Sequence, residues 1–440
     1  MKNYPKKTIG ELCNIVKGET GIASAIAGEY PLVVTAKDRK TSATYQFDTQ
    51  AVCIPLVSSS GHGKKSLNYV HYQEGKFALG TILAAVIPKN NHEISADFLH
   101  QYLLFYKDIK IVPLMRGAAN VSLAVKDIAK IEIPLPPINE QKDFIVFFNK
   151  LQKFNDELVQ EFDKQEKYVS QLKQSILQEA IAGQLTAEWR TENPMQKGNP
   201  DTDAAALLAK IKAEKQRLIA DGKLKKEKPL AEIAIDEIPF SIADSWVWCR
   251  LGEICDFITK GTTPSSTEFK DGGEIPYLKV YNIVNQKINF HYRPQFIERS
   301  VHERLSRSKV YPDDVIMNIV GPPLGKIAIV PDDFEEWNIN QALAIFRCLE
   351  KSVNQYIYLF LNEGTEIKKI QTLGVVGQDN ISLAQCRDMV IPLPPLAEQK
   401  AIVEKVDKLM NIIERLEQQI KHRKQLAENL MQTVLREAFE

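Results

Sequence analysis

One phrase occurs twice in this chain of 440 residues, as Ile133-Pro134-Leu135-Pro136-Pro137-Ile138-Asn139-Glu140-Gln141-Lys142 and as Ile391-Pro392-Leu393-Pro394-Pro395-Leu396-Ala397-Glu398-Gln399-Lys400. Each copy runs into a long heptad-patterned segment, so the chain reads as a duplicated unit of domain plus helix. The copies lie 258 residues apart (392 minus 134), and that offset holds through the segments that follow. In the second segment the repeating positions are Ile402, Val406, Leu409, Ile413, Leu416, Ile420, Ala427, Leu430 and Val434. Their counterparts are Phe144, Phe148, Leu151, Asn155, Leu158, Phe162, Val169, Leu172 and Ile176. Alternating steps of mainly four and three make an a/d seam. Asn155, standing where the other copy has Ile413, either fixes register or lies at the seam edge.

Proline excludes helix before it and suits the first turn of one, so helices are expected to start just after Pro137 and Pro395. Glu140 and Glu398 then sit at the positive end of the helix dipole. The first helix is expected to run to Ala182 with Gly183 as its stop, a rod of about 65 Å. That exceeds one turn of duplex DNA, about 34 Å. Two such helices related by an approximate two-fold axis would lie antiparallel and close their seams on each other.

The duplication extends upstream. Ile9-Gly10-Glu11-Leu12-Cys13 answers Leu251-Gly252-Glu253-Ile254-Cys255, and Lys17-Gly18 answers Lys260-Gly261. Asn120-Val121-Ser122-Leu123-Ala124 faces Asn380-Ile381-Ser382-Leu383-Ala384 at an offset of 260 (380 minus 120), a two-residue length change, and Gly117 and Gly377 share it. Between these bookends the halves scarcely resemble each other, which suggests one scaffold presenting two recognition surfaces. The expected fold is α/β (mixed α+β): a globular domain over 1–137, a helix over 138–186, a linker over 187–237, a second globular domain over 238–395 and a second helix over 396–440. The linker should hold a short helix from about Asp203 to Asp221. Strands are expected near 30–35, 51–57, 275–280 and 326–330, and helices near 96–107 and 354–370.

Net charge is zero, which argues against a protein that coats nucleic acid non-specifically. The balance is local: residues 1–137 hold 16 Lys/Arg against 11 Asp/Glu, and 238–395 hold 16 against 19. Polyanion binding must therefore come from clusters. No apolar run approaches the roughly 20 residues of a membrane span, and no signal peptide is apparent, so a cytoplasmic protein without membrane contact is expected. Six scattered cysteines without a Cys-x-x-Cys pair read as buried thiols. The chain has no (Asn/Asp)-Pro-Pro-(Tyr/Phe) methylation motif, no Gly-rich loop of S-adenosylmethionine-binding type and no metal spacing among its histidines. Gly321-Pro322-Pro323-Leu324-Gly325-Lys326 is one residue short of a phosphate loop and lacks its Ser/Thr. Asp313-Asp314 and Asp332-Asp333 each follow a proline and read as turns. Catalysis, metal and cofactor are all expected to be absent from this chain.

Further signals are the helix exit Ile181-Ala182-Gly183-Gln184-Leu185-Thr186-Ala187-Glu188-Trp189-Arg190, the segment Trp246-Val247-Trp248-Cys249-Arg250, and Lys260-Gly261-Thr262-Thr263-Pro264-Ser265. With the two proline junctions and the heptad helices, they make the chain resemble the specificity subunit of type I restriction-modification enzymes over essentially its whole length. The first domain departs from the pattern: Tyr4-Pro5-Lys6-Lys7-Thr8 stands in place of Trp-x-Trp, and Glu19-Thr20-Gly21 follows Lys17-Gly18.

The resemblance implies a non-catalytic reader. Two target-recognition domains would each recognise half of a split site in double-stranded DNA. The antiparallel coiled coil would act as ruler and as dock for two methyltransferase subunits, and restriction (helicase-nuclease) subunits would complete the complex. S-adenosylmethionine, ATP and magnesium would serve those partners, and the gap between half-sites would follow helix length. Rival readings are the specificity subunit of a type IIB-like system with a fused methyltransferase-nuclease, and a coiled-coil scaffold that binds proteins. A self-sufficient DNA enzyme is disfavoured by the missing motifs.

In the first domain the candidate DNA contacts are Lys37, Arg39 and Lys40, then Ser59, Ser60, His62, Lys64 and Lys65, with Arg116 in addition. Both segments are polar and cationic and follow β-like runs, so they can place Lys/Arg near phosphates or guanine edges. In the second domain the candidates are Lys260, Thr262, Thr263 and Ser265, the cluster Lys279, Tyr281 and Asn282, and Lys326. Each could equally be an ordinary surface loop. Trp337 is similar to a family segment and is expected as a core anchor, and the lysine-rich run 223–228 as a solvated linker.

Overall fold

The structure, a computed structural model, is described for residues 4–60, 63–373 and 380–439. By packing, the chain divides into two compact units, Met1–Lys164 with Ile420–Glu440, and Gln165–Gln419. The division falls inside both long helices, Ile138–Ile181 and Leu396–Phe439, each of 44 residues. A unit is thus one globular domain together with a stretch of each helix. In the first unit the reason is visible in the core, because Phe144 and Ile145 of the helix pack against the buried cluster of Ile9, Phe98, Leu99 and Ile133.

The globular part of the first unit holds two four-stranded sheets. One orders its strands Cys13–Lys17, Leu83–Pro88, Ala51–Pro55 and His71–Gln73, all antiparallel. The other orders Lys40–Ser42, Tyr30–Val33, Lys76–Leu79 and Phe47–Asp48, its central pair parallel with Leu32 opposite Ala78. The second unit repeats this strand for strand. Its first sheet is Cys255–Lys260, Leu343–Cys348, Val315–Asn318 and Ile327–Ile329. Its second is Phe296–Ile297, Ile275–Leu278, Trp337–Ile339 and Lys309–Val310, again with one parallel pair, Tyr277 opposite Asn338.

The halves that scarcely resemble each other in sequence therefore share one topology. A buried strand asks only for apolar side chains of about the right volume, as in Ala51–Pro55 and Val315–Asn318, both buried throughout, so identity can drift while the fold stays.

The proline phrase begins as a strand. Glu132–Pro134 pairs antiparallel with Lys6–Thr8, and Val390–Leu393 with Val247–Arg250, so each domain is closed by its own first and last strands. The shared glutamate three residues after Thr8 and Arg250 accepts from those backbone N–H groups, at 2.6 Å for Glu11 and 2.7 Å for Glu253. That is one half of a capping box.

The first helix ends at Ile181 with Gly183 left-handed (φ +73°), and Asp203 caps the linker helix Ala204–Ala220. The segment 354–370 is two helices, Val353–Glu363 and Thr365–Leu373, broken at Gly364 (φ +84°). Trp337 is fully buried and meets Phe290 and Phe334 edge-to-face at 5.2 and 4.9 Å. All six cysteines are buried, which pushes the thiols of Cys13, Cys53 and Cys386 up to about 12.

Within each unit the two long helices run antiparallel. In the first, Phe148 lies across a cavity from Gln432, Leu435 and Arg436, while Asp163 pairs with Lys424 at 3.2 Å. In the second, Lys173 pairs with Glu417 at 2.8 Å and Lys405 donates to the Leu185 carbonyl at 2.8 Å. Side chains buried on these helices recur every seventh residue, at Phe162, Val169 and Ile176 and at Val406, Ile413 and Ile420. Leu151, Asn155, Leu158 and Leu409 are half-buried. Leu416, expected in the seam, is 39% exposed, and Leu172 and Leu430 are more so. One row of the a/d stripe thus stays closed, while the other lies at its edge, half-buried or exposed.

Gly18 and Gly261 explain the shared Lys-Gly step. A Cβ on Gly18 would collide with the carbonyls of Leu79 and Gly80, and one on Gly261 with those of Ile339 and Asn340. Backbone cannot yield as a side-chain tip can. Gly18→Ala or Gly261→Ala is expected to destabilise by about 3 kcal/mol, the upper end of overpacking costs, read as a lowered denaturant midpoint with an unchanged slope.

Candidate nucleic-acid interface

Three of the sequence motifs converge on one carboxylate. Glu398 is fully buried and accepts from Thr186 Oγ1 at 2.7 Å, from the Arg190 guanidinium at 2.5 Å and from Trp246 Nε1 at 2.7 Å. The helix exit, the start of the second domain and the second proline phrase are joined there. The glutamine that follows reaches back to its own proline turn in both copies, Gln399 Nε2 to the Pro394 carbonyl at 2.7 Å and Gln141 Nε2 to that of Pro136 at 2.8 Å. In the first domain Tyr4 donates to Glu140 at 2.7 Å. Tyr4 precedes Trp246 by 242 residues, as Gly10 precedes Gly252, so the tyrosine takes the place of the absent tryptophan as donor to the matching acid.

Around this frame the candidate loops differ in how their polar atoms are used. In the first domain Lys37 and Lys40 are exposed. Arg39 is half-buried and tied within the domain: Nε donates to Gln73 at 3.0 Å, one terminal nitrogen to the Lys37 carbonyl and His71 Nδ1, and the other to the Tyr72 carbonyl at 3.0 Å. Ser59 accepts from the Asn68 N–H at 2.9 Å and Ser60 bonds Ser66 at 2.6 Å, so these hydroxyls brace their loop while Lys64 and Lys65 stay exposed. His62 and Gly61 lie outside the described residues, as does Gly377. Arg116, its side chain 78% exposed, is brought to the same loop because Ser122 pairs with both Arg116 and Val57.

In the second domain Lys260, Thr262, Thr263 and Ser265 are exposed. Tyr277 donates to the Thr262 carbonyl at 2.8 Å and stacks edge-on to Phe269, over which the Lys279 ammonium sits at 4.5 Å. The 260–265 loop and Lys279 therefore form one surface. Asn282, expected as a contact, is fully buried and consumed internally. Tyr281 donates to the Arg293 carbonyl at 3.3 Å. Lys326 belongs to a separate turn that Gln286 holds through the Gly325 carbonyl and the Ile327 N–H. Arg293, missed from the sequence, is exposed with its guanidinium over the Tyr292 ring at 5.3 Å. The interleaved Phe290-His291-Tyr292-Arg293 is the local pattern that points to it.

The profile of the type I restriction modification DNA specificity domain matches residues 1–166 and 243–422. The chain belongs to this family. Similar members from Escherichia coli are the type I restriction enzyme EcoDI specificity subunit, 24% identical over 98% of this chain and 87% of that one, and the EcoAI specificity subunit, 28% identical over 67% and 55%. The EcoEI specificity subunit is 27% identical over 58% and 43%, so the chain spans about half the length of the latter two relatives.

Two solved structures share the fold. A chain from a study of assembly and conformational transition of the type I R-M system has TM-score 0.68 at 17% identity, covering 100% of this chain and 98% of that one. The HsdS subunit from Thermoanaerobacter tengcongensis has TM-score 0.51 at 17% identity, covering 100% and 97%.

Among the described residues one group has metal-like spacing, His302, Glu303 and Glu336. Its bonding is that of an ion-pair cluster. Asn338 Nδ2 donates to His302 Nδ1 at 3.1 Å while its Oδ1 accepts from Ile339, so neutral His302 carries its proton on Nε2, 3.6 Å from Glu336. Glu303 and Glu336 already pair with Lys309 and Arg299, each at 2.7 Å.

Trp246→Phe is expected to cost about 2 kcal/mol, the worth of a hydrogen bond to a charged group, and Tyr4→Phe less, since that pair is only half-buried; chemical denaturation of the two variants compares them. His71, buried beside Arg39, has its pKa pushed down from 6.5 to about 4 by burial, then by the neighbouring Arg39 and His100. The folded chain therefore binds fewer protons there than the unfolded one, and this stability, present above pH 6.5, is lost as pH falls toward about 4. Melting temperature against pH should lose part of its slope in that window in His71→Gln.

Proposed function

We propose that this chain is the DNA-reading subunit of a type I restriction-modification complex and recognises a bipartite site in double-stranded DNA. The observation that carries the reading is the repeated pair of sheets with unlike loops on matching strands. The Lys37/Lys40 loop follows Tyr30–Val33 and the Lys279/Tyr281 loop follows the topologically equal Ile275–Leu278. One scaffold built twice with two surfaces suits a target of two unlike half-sites. Exposed lysines anchor the phosphates, and loop side chains meet base edges.

The long helices support a partner reading. Each unit carries the same four apolar positions, one turn apart on each helix: Phe154, Leu158, Leu426 and Leu430 in the first, Ile412, Leu416, Tyr168 and Leu172 in the second. All are exposed except half-buried Leu158. Apolar side chains exposed in a repeated pattern mark interaction sites, and one methyltransferase (modification) subunit per unit fits them. Restriction subunits would complete the assembly. S-adenosylmethionine, ATP and magnesium would be used by those partners, with no catalytic residue in this chain. Among the described residues no helix is long and apolar enough to cross a membrane, and we place the chain in the cytoplasm, where its DNA would be.

Methylome sequencing of a host that expresses this chain with its modification partner tests the reading. A bipartite methylated motif with a fixed unspecific spacer is expected. A partner that methylates DNA without such a motif would show that the chain does not direct it.

A further inference from the structure

A loop that reads DNA has to be exposed and yet held still. We propose that Arg39 and Asn282 are positioning residues, each fixing the reading loop of its own domain, and that DNA is met by their exposed neighbours: Lys37 and Lys40 in the first domain, Tyr292 and Arg293 in the second. The inference rests on the reading that this chain recognises DNA.

The two residues occupy the same place in the repeated fold. Arg39 lies in the connection from Tyr30–Val33 to Lys40–Ser42, and Asn282 in the connection from Ile275–Leu278 to Phe296–Ile297, matching strand pairs of the second sheet. Arg39 spans from that sheet to the edge strand of the other, because Gln73, Tyr72 and His71 all belong to His71–Gln73. A guanidinium has five N–H donors in a planar fork. Nε and both terminal nitrogens are engaged here, so no parallel pair remains to grip guanine O6 and N7.

Asn282 is consumed in the same way. Its Oδ1 accepts from the Lys279 N–H at 2.9 Å, and its Nδ2 donates to the carbonyls of Asn289 and Tyr292 at 3.3 and 3.0 Å. It ties the start of the 279–295 excursion to its far limb, across the hairpin of Ile283–Val284 and Lys287–Ile288. Reading adenine would need both amide atoms, and neither is free. What these ties leave outward is cationic or aromatic: Lys37, Lys40, Tyr292 and Arg293 are exposed.

The test is selection from a random-sequence duplex library by the full chain bound to its modification partner, repeated over a range of salt concentrations. Arg39→Lys keeps the charge and loses the fork. It should lower discrimination at one half-site about ten- to a hundredfold, keep the other half-site, and leave the slope of log K against log salt unchanged. Asn282→Asp keeps the acceptor and loses the donors, and should degrade the opposite half-site only. Lys37→Ala and Lys40→Ala should each reduce the salt slope by about one.

Retained discrimination in Arg39→Lys would overturn the inference. So would a slope reduced by about one in that variant, which would mark a direct phosphate contact, or loss of both half-sites together, which would mean that the ties hold the fold rather than the loop. A wild-type complex that selects no bipartite motif would instead overturn the DNA-reading assignment itself, and this inference with it.

Discussion

A carboxylate removed from water costs several kcal/mol unless donors replace the solvent on both oxygens. Glu398 meets that condition with a hydroxyl, a guanidinium and an indole N–H, supplied by two stretches of chain far from it in sequence. The joint between helix exit, domain start and second helix therefore depends on one buried charge, and none of the three donors can be removed without leaving that charge underpaired. Glu140 is the lighter version, half-buried and served by Tyr4. Beside each acid a glutamine secures the proline turn from inside. The phrase that repeats in the sequence is thus a strand, a turn, a buried anchor and a helix start, in that order.

With the frame held at these joints, the domains have room to diverge. Both are the same two sheets, with a parallel pair at matching positions and a glycine where the chain passes against a neighbouring backbone. The connections differ: six residues separate Val33 from Lys40, while seventeen separate Leu278 from Phe296 and include a hairpin. Loops tolerate such length changes at little cost in closure entropy, so surface can vary while the core does not. Within each loop one polar side chain turns inward and spends its hydrogen bonds inside its own domain.

That inward turn is why the candidate site was only partly legible. Lys37, Lys40, Lys64, Lys65 and Lys260 are exposed, as a lysine's cost of burial dictates. Arg39 and Asn282 carry the same polar signature, yet their partners, Gln73, Tyr72, Asn289 and Tyr292, lie 7 to 34 residues away along the chain. Nothing local in the sequence says whether such a side chain faces DNA or backbone. Leu416 shows the converse. Its heptad position is apolar and regular, but only packing decides which of two seam rows closes. In its exposed place it joins Ile412, Tyr168 and Leu172 in a pattern that recurs at Phe154, Leu158, Leu426 and Leu430.

The sequence by itself determined the duplication, the two helix starts after proline, the stop at Gly183 and the linker helix from about Asp203. Each rests on interactions within a few residues, whose geometry the backbone dictates. Only the tertiary structure decided that the dissimilar halves share one sheet order, that Tyr4 stands in for a tryptophan, and that Arg39 and Asn282 are spent inside their loops. Those outcomes depend on partners outside the immediate turn or strand, and a polar side chain commits to them only when folding brings them within about 3 Å.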